Sequence, residues 1–313
     1  MRKYFPILIS LIVIFIIGYI VISKKNEVLI NQSQDKEQVN HIGTFNIQKT
    51  CARPPQFLQK LKIPQPVIID LSQKRFKGIA LLYGKDFQQV LHLKQWEQYE
   101  HFSTYCVDKK GNVYLVPTPF ISIRPTTFNL QKNIYKLDTK SGKISIFMHL
   151  DDVYPSANNP YGINAITYDC DDETLWVAAI DESNYQRQKG VIYHINLDTK
   201  EILQKVEGFD VLSMTILRSK KGKYLLVGSA RDNGLYAFSI QNGMLSHVPQ
   251  KLLELPSANE HIRKIKIKNK NSIELQSIPF SYTLIAQTAK DDRTHYNVSW
   301  NLLSQSWVFN KNY

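Results

Sequence analysis

The sequence predicts an all-β chain, a β-propeller of five or six four-stranded blades with six favoured, preceded by one N-terminal transmembrane helix. Three observations carry that expectation. Short apolar strands separated by acidic or glycine-containing turns recur from residue 67 to the C-terminus. The strands of successive units superpose slot by slot at a period of about 40–50 residues, the spacing of propeller blades. Residues 5–23 form an apolar run of the length a bilayer-spanning helix needs, about 20 residues.

The N-terminal run follows Arg2 and Lys3 and is interrupted only by Pro6, Ser10, Gly18 and Tyr19. It is longer than the apolar core of a signal peptide, so residues 1–23 read as an uncleaved signal-anchor contacting the membrane through 7–22, with a cleaved, secreted form as the alternative. Either way the remainder is expected outside the cytoplasm. Residues 24–66 are polar and then proline-containing, which suits a spacer and an extended lead-in and excludes a regular helix or central strand. Residues 67–313 are left for the propeller.

Within that span, Val67–Leu71, Gly78–Tyr83 and Gln88–Leu93 make a first group of strands rich in Ile, Val and Leu. Val113-Tyr114-Leu115-Val116, Leu175-Trp176-Val177-Ala178 and Leu225-Leu226-Val227-Gly228 fill one slot of successive units. Ile134-Tyr135-Lys136-Leu137, Ile192-Tyr193-His194-Ile195 and Leu235-Tyr236-Ala237-Phe238 fill the next. Lys110-Gly111-Asn112 and Lys140-Ser141-Gly142 supply the positive φ that hairpin turns require. The first and last units read incompletely, so a closing blade shared by both termini is expected. Tyr114, Tyr135, Trp176, Tyr193 and Tyr236 recur at matching positions and are expected to fill the space between sheets, with Trp300 and Trp307 serving the closure.

The 313 residues, 43% hydrophobic and 21% charged, have ordinary globular composition. A net charge of +12 would favour anionic partners, but a lysine-rich surface of this kind reads first as a solvated face. No basic run is interleaved with aromatics, so nucleic acid is not an expected partner. There is no phosphate-binding glycine loop, nucleophile elbow or His pair at metal spacing. Cys51, Cys106 and Cys170 lack CxxC spacing, and an odd count forbids complete pairing. In an exported domain a Cys106–Cys170 disulfide is the attractive pairing; buried free thiols are the commoner arrangement.

The stretches YGINAITYDCDDETLWVAA (161–179) and STYCVDKKGNVYLVPTP (103–119) resemble the inner-strand, turn, second-strand pattern of NHL-repeat and gluconolactonase-like propellers, over about residues 100–240. That resemblance implies the propeller fold. It also implies a divalent cation such as calcium held by oxygen ligands at the inner-strand entrances, where it would polarise a lactone or ester carbonyl. The matching positions are Asp210, followed by Val211 where the family has Gly, with Asn164 or Asn159 beside Tyr161 where the family has Asn. Glu260 joins Asp210 and Asn164 as a candidate metal ligand.

In a propeller, function concentrates where the loops entering the inner strands meet the loops joining second and third strands. Asn159, Asn164, Asp181, Arg231 and Asp232 are therefore the candidate ligand-binding residues. His261 is a candidate general base if Asp210 or Glu260 orients it. Arg263, Lys264, Lys266, Lys268 and Lys270 form a basic stripe suited to an anionic envelope surface, or to guarding an edge strand. The function expected is a monomeric, membrane-anchored module binding a protein or small-molecule ligand; the alternative is a cation-dependent hydrolase.

Overall fold

The computed structural model describes residues 42, 51–72, 75–119, 125–219, 222–283, 293–301, 303–304 and 306–310. The expected transmembrane segment lies outside them. Among the described residues no helix is long and apolar enough to cross a membrane.

Five antiparallel sheets follow one another along the chain. The first holds β1 (Ile68–Asp70), β2 (Ala80–Tyr83) and β3 (Gln89–Leu91). The second holds β4 (Phe102–Val107), β5 (Val113–Pro117), β6 (Asn133–Leu137) and β7 (Ile144–His149). The third holds β8 (Ile163–Asp169), β9 (Thr174–Ala179), β10 (Val191–Asn196) and β11 (Ile202–Glu207). The fourth holds β12 (Val211–Ser219), β13 (Gly222–Ser229) and β14 (Gly234–Gln241), whose outer edge is shared by β15 (Met244–Leu245) and β16 (Gln250–Glu254). The fifth holds β17 (Glu260–Ile267), β18 (Ser272–Pro279), β19 (Thr294–Asn301) and β20 (Ser306–Phe309).

The molecule is thus a five-blade propeller, not the favoured six. The β5–β6 connection, with its 3-10 helix Pro125–Lys132, and the segment between β7 and β8 consume chain that a sixth blade would need. The closing blade shared by both termini is also absent among the described residues, because the first and fifth sheets are each built from contiguous chain.

The first strands of the later sheets pack on one another, β4 on β8, β8 on β12 and β12 on β17, and so ring a channel. Apolar side chains fill the wedges between sheets. Tyr114, Tyr135, Trp176 and Tyr193 are buried there and Tyr236 is half-buried, whereas Trp300 and Trp307, expected at a closure, meet edge-on at 5.5 Å as a cross-strand pair within the fifth sheet. The turns form for local reasons. Asp108 accepts hydrogen bonds from the backbone N–H groups of Lys110 and Asn112, both at 2.8 Å, while Gly111 takes φ +88°. Asp138 does the same for Lys140 and Ser141, with Gly142 at φ +66°.

Part of the segment expected as linker packs on the propeller. Ile42 is fully buried in the cluster between the fourth and fifth sheets. Against the expected exclusion of a helix, one turn, α1 (Phe57–Lys60), forms in the proline-free gap between Pro55 and Pro64 and buries Phe57 and Leu58 beside Trp96. Cys51 is disulfide-bonded to Cys170 in the β8–β9 turn, with Cα atoms 6.2 Å apart. This corrects the Cys106–Cys170 pairing. The lead-in lies along the hairpin turns, where the Arg53 N–H donates to the Asp108 carbonyl, and this carries Cys51 to Cys170 while Cys106 stays a free thiol within β4. Burial, and then the Asp108 charge, push the Cys106 pKa well up, which makes it an unreactive thiol.

Candidate functional site

Each of the inner strands β4, β8, β12 and β17 carries a one-residue register shift near its start, at Phe102/Thr104, Ile163/Ala165, Val211/Ser213 and Ile262/Lys264. The extra residues are Ser103, Asn164, Leu212 and Arg263. A bulge re-aims the side chain it inserts. Asn164 Nδ2 donates to the Val211 carbonyl at 2.6 Å, and Ser213 Oγ donates to the Ile262 carbonyl at 2.6 Å. Arg263 donates from Nη1 to the Leu212 carbonyl at 3.2 Å and from Nη2 to the Ser103 carbonyl at 3.4 Å. One guanidinium of the fifth blade therefore bridges the fourth and the second.

Arg263 does not belong to the surface stripe in which the sequence placed it. A strict two-residue alternation would run apolar from Ile262 through 264, yet the apolar residues are Ile262, Ile265 and Ile267. That slip is the bulge, and it was the available signal. Lys264, Lys266, Lys268 and Lys270 do remain exposed.

The loops around this mouth interlock. Asp210, fully buried ahead of β12, accepts from Ser183 Oγ (2.5 Å) and the Gly190 N–H (2.7 Å) on Oδ1 and from the Tyr282 hydroxyl (2.5 Å) on Oδ2. A Cβ at Gly190 would stand 2.4 Å from the Phe209 carbonyl and 2.6 Å from Asp210 Oδ1, so only glycine permits this approach. Asn159 ties its own loop, donating to the Ile180 (2.6 Å) and Ser183 (2.8 Å) carbonyls and accepting from the Tyr161 N–H. Arg231 donates to the carbonyls of Asn184 and Tyr185, and the Tyr185 hydroxyl donates to Ser281 Oγ. Tyr161, Phe280, Tyr282 and Tyr185 continue as an aromatic chain, each neighbouring pair 5.2–5.5 Å apart. Burial pushes the Tyr161 pKa up to about 12, against the pull of Arg263.

The remaining sequence candidates do structural work. Asp181 accepts from the Tyr154 N–H at 2.7 Å, and its burial raises its pKa. Burial also pushes Asp232 up, but hydrogen bonds from the Tyr236 hydroxyl, Lys251 and the Gly234 N–H outweigh it and hold Asp232 below the usual range. Glu260 accepts from Ser277 Oγ, Tyr296 and Thr294 Oγ1 within its own sheet. Neither Asp210 nor Glu260 is hydrogen-bonded to His261, so the expected acid-base pair does not form. Adjacent strand residues point to opposite faces, which separates Glu260 from His261.

A divalent cation fits poorly here. Asp210 and Glu260 spend both their oxygens on protein hydroxyl and N–H donors, so of the three expected ligands only the Asn164 amide oxygen is left uncommitted among the described groups. Among the described residues no group of three His, Cys, Asp or Glu side chains is placed to hold a metal ion.

One cation of the channel mouth, Arg263, stands apart from the carboxylates of the surrounding loops. Burial lowers the Arg263 pKa, Tyr161 opposes that, and nearby Arg293 adds to it. Arginine stays charged regardless. Its hydrogen bonds end on carbonyls, and no described carboxylate pairs with it. Asn164 Oδ1, in the same ring of strands, is buried without a hydrogen-bond partner among the described residues.

Two buried histidines set a pH dependence. His261 has its pKa lowered by burial, against the Asn259 backbone and Asp232. His194 stacks on Trp176 at 3.9 Å and has its pKa lowered by burial, against Asp169 and Asp172. The unfolded chain then binds more protons than the folded one once pH drops below about 6.5, so stability falls with pH there. Urea midpoints measured from pH 7.5 to 5 are expected to decline, and more shallowly in His194→Gln; an unchanged slope in the variant counts against this assignment.

No protein-family model and no curated protein matches the chain. Among solved structures it is similar to a glucose dehydrogenase at 12% identity and TM-score 0.43, covering 72% of this chain and 78% of that one. A second glucose dehydrogenase gives 15% identity and TM-score 0.41, covering 72% and 76%. The dihydro-heme d1 dehydrogenase NirN gives 10% identity and TM-score 0.36; 76% of this chain is covered, and it spans about half, 51%, of that protein.

Proposed function

We propose that this chain is a binding propeller, monomeric, tethered to the membrane by residues 7–22 and displayed outside the cytoplasm, with its ligand seated at the channel mouth over Arg263. The observation that carries the reading is the half-buried Arg263 guanidinium in the channel, whose hydrogen bonds among the described residues end on carbonyls. A buried cation is stable when a negative group answers it, and a ligand carboxylate matches the planar fork of arginine. The Cys51–Cys170 disulfide supports the exported location, since disulfides persist in oxidising compartments. The cation-dependent hydrolase draws no comparable support, because its carboxylates are committed to protein donors.

Thermal unfolding tests the reading with acetate, benzoate and citrate as probes in chloride-matched buffer. A ligand that binds only the folded state raises Tm in proportion to ln(1 + [L]/Kd). At least one carboxylate is expected to raise the Tm of the wild type, less that of Arg263→Lys, and not that of Arg263→Met. An equal rise in Arg263→Met, or none with any probe, defeats the assignment.

A further inference from the structure

The face opposite the channel mouth carries an independent feature. A cleft of about 920 Å³ opens between the lead-in and the hairpin turns of the second sheet. Arg53, Lys109, Lys110, Lys136 and Lys140 line it, against the single carboxylate of Asp138. That carboxylate is committed to its own turn, accepting from the Lys140 N–H and from the N–H and hydroxyl of Ser141. Lys109 pairs with Glu173, and Lys110 stands 3.8 Å from Asp198. Arg53, Lys136 and Lys140 have no ion-pair partner among the described residues, so the cleft keeps a positive excess.

Its floor is rigid. Asn112 donates to Asp108 Oδ2 at 2.8 Å and accepts from the Thr139 N–H at 3.1 Å, and Thr139 Oγ1 accepts from the Gln56 N–H at 3.0 Å. The chain also joins the fold on this face, through Cys51–Cys170 and through the Arg53 N–H at Asp108. The apolar N-terminal run ends at Ser23, and Ile42 is already packed on the propeller. The stretch between them reaches about 65 Å at full extension.

We propose that this cleft docks on the surface of an anionic phospholipid bilayer, its ammonium and guanidinium groups meeting headgroup phosphates. The inference rests on the membrane tether. Basic groups held close to a bilayer by an anchor add attraction for anionic lipid within a Debye length of about 8 Å, and salt screens it. A propeller docked this way turns its channel mouth away from the membrane, toward soluble ligand.

The test is lysine acetylation footprinting of the full chain reconstituted in vesicles of phosphatidylcholine, alone or with about one-third phosphatidylglycerol. Lys109, Lys110 and Lys140 are expected to be protected about fivefold to tenfold by the anionic lipid, with protection lost at about 0.5 M NaCl, while Lys251 is unchanged. The exposed substitutions Arg53→Glu, Lys110→Glu and Lys140→Glu together should abolish protection of Lys109. Insertion into both vesicle types with equal labelling overturns the docking and leaves the tether standing. Protection by anionic vesicles without insertion removes the tether and keeps the docking. Equal protection by inorganic phosphate alone overturns the proposal in favour of a soluble-anion site.

Discussion

Replacing Asp210 with alanine is expected to destabilise the protein by about 3–5 kcal/mol, because three buried donors lose one acceptor. Ser183, Gly190 and Tyr282 come from two different blades, and Asp210 opens a third, so the carboxylate fastens the third, fourth and fifth sheets at the channel mouth. Tyr282→Phe should cost about 1–3 kcal/mol, since it leaves one oxygen of Asp210 short of a donor. The two changes share a partner, so the double variant is expected to lose less than the sum. Urea denaturation of the four proteins measures this directly. Additive losses, or a loss below about 1 kcal/mol for Asp210→Ala, would show that the carboxylate does not join the blades.

Removal of the Cys51–Cys170 disulfide has the next largest expected effect. It closes a loop spanning 119 residues, for which the chain-entropy estimate is about 4–5 kcal/mol, and losses of about 2–5 kcal/mol are typical of native disulfides. Cys170→Ser should therefore unfold at distinctly lower urea, whereas Cys106→Ser should shift the midpoint far less. Thiol titration of the denatured, unreduced protein is expected to find one free cysteine, Cys106. Three free thiols in protein taken from its own compartment would remove both the pairing and its support for export.

Much of the fold was legible because its signals are local. Lys110-Gly111-Asn112 and Lys140-Ser141-Gly142 turn where expected, since a positive φ selects glycine whatever lies around it. The aromatics repeating at two neighbouring slots pack between sheets because successive blades need bulk at the same radius. The site was less legible. Asn159 and Asp181 tie their loops through partners 21 to 27 residues away, Ile180, Ser183 and Tyr154, which no local pattern announces. The family resemblance made Asp210 a candidate metal ligand, and three distant donors occupy its oxygens. Tyr185, Phe280 and Tyr282 escaped notice because they sit at no repeating slot. Arg263 was hidden among lysines, though the slipped alternation from Ile262 to Ile265 marked its bulge.

The sequence by itself determined strands, turns and the repeating blade, all consequences of side-chain periodicity and backbone preference over a few residues. The tertiary structure decided the number of blades, the partner of Cys170, the commitment of Asp210 and Glu260, and the lodging of Arg263 in the channel. Each of these depends on which groups meet across tens to hundreds of residues. Such meetings follow from loop lengths and from the closing of five sheets into a ring, which no local pattern encodes.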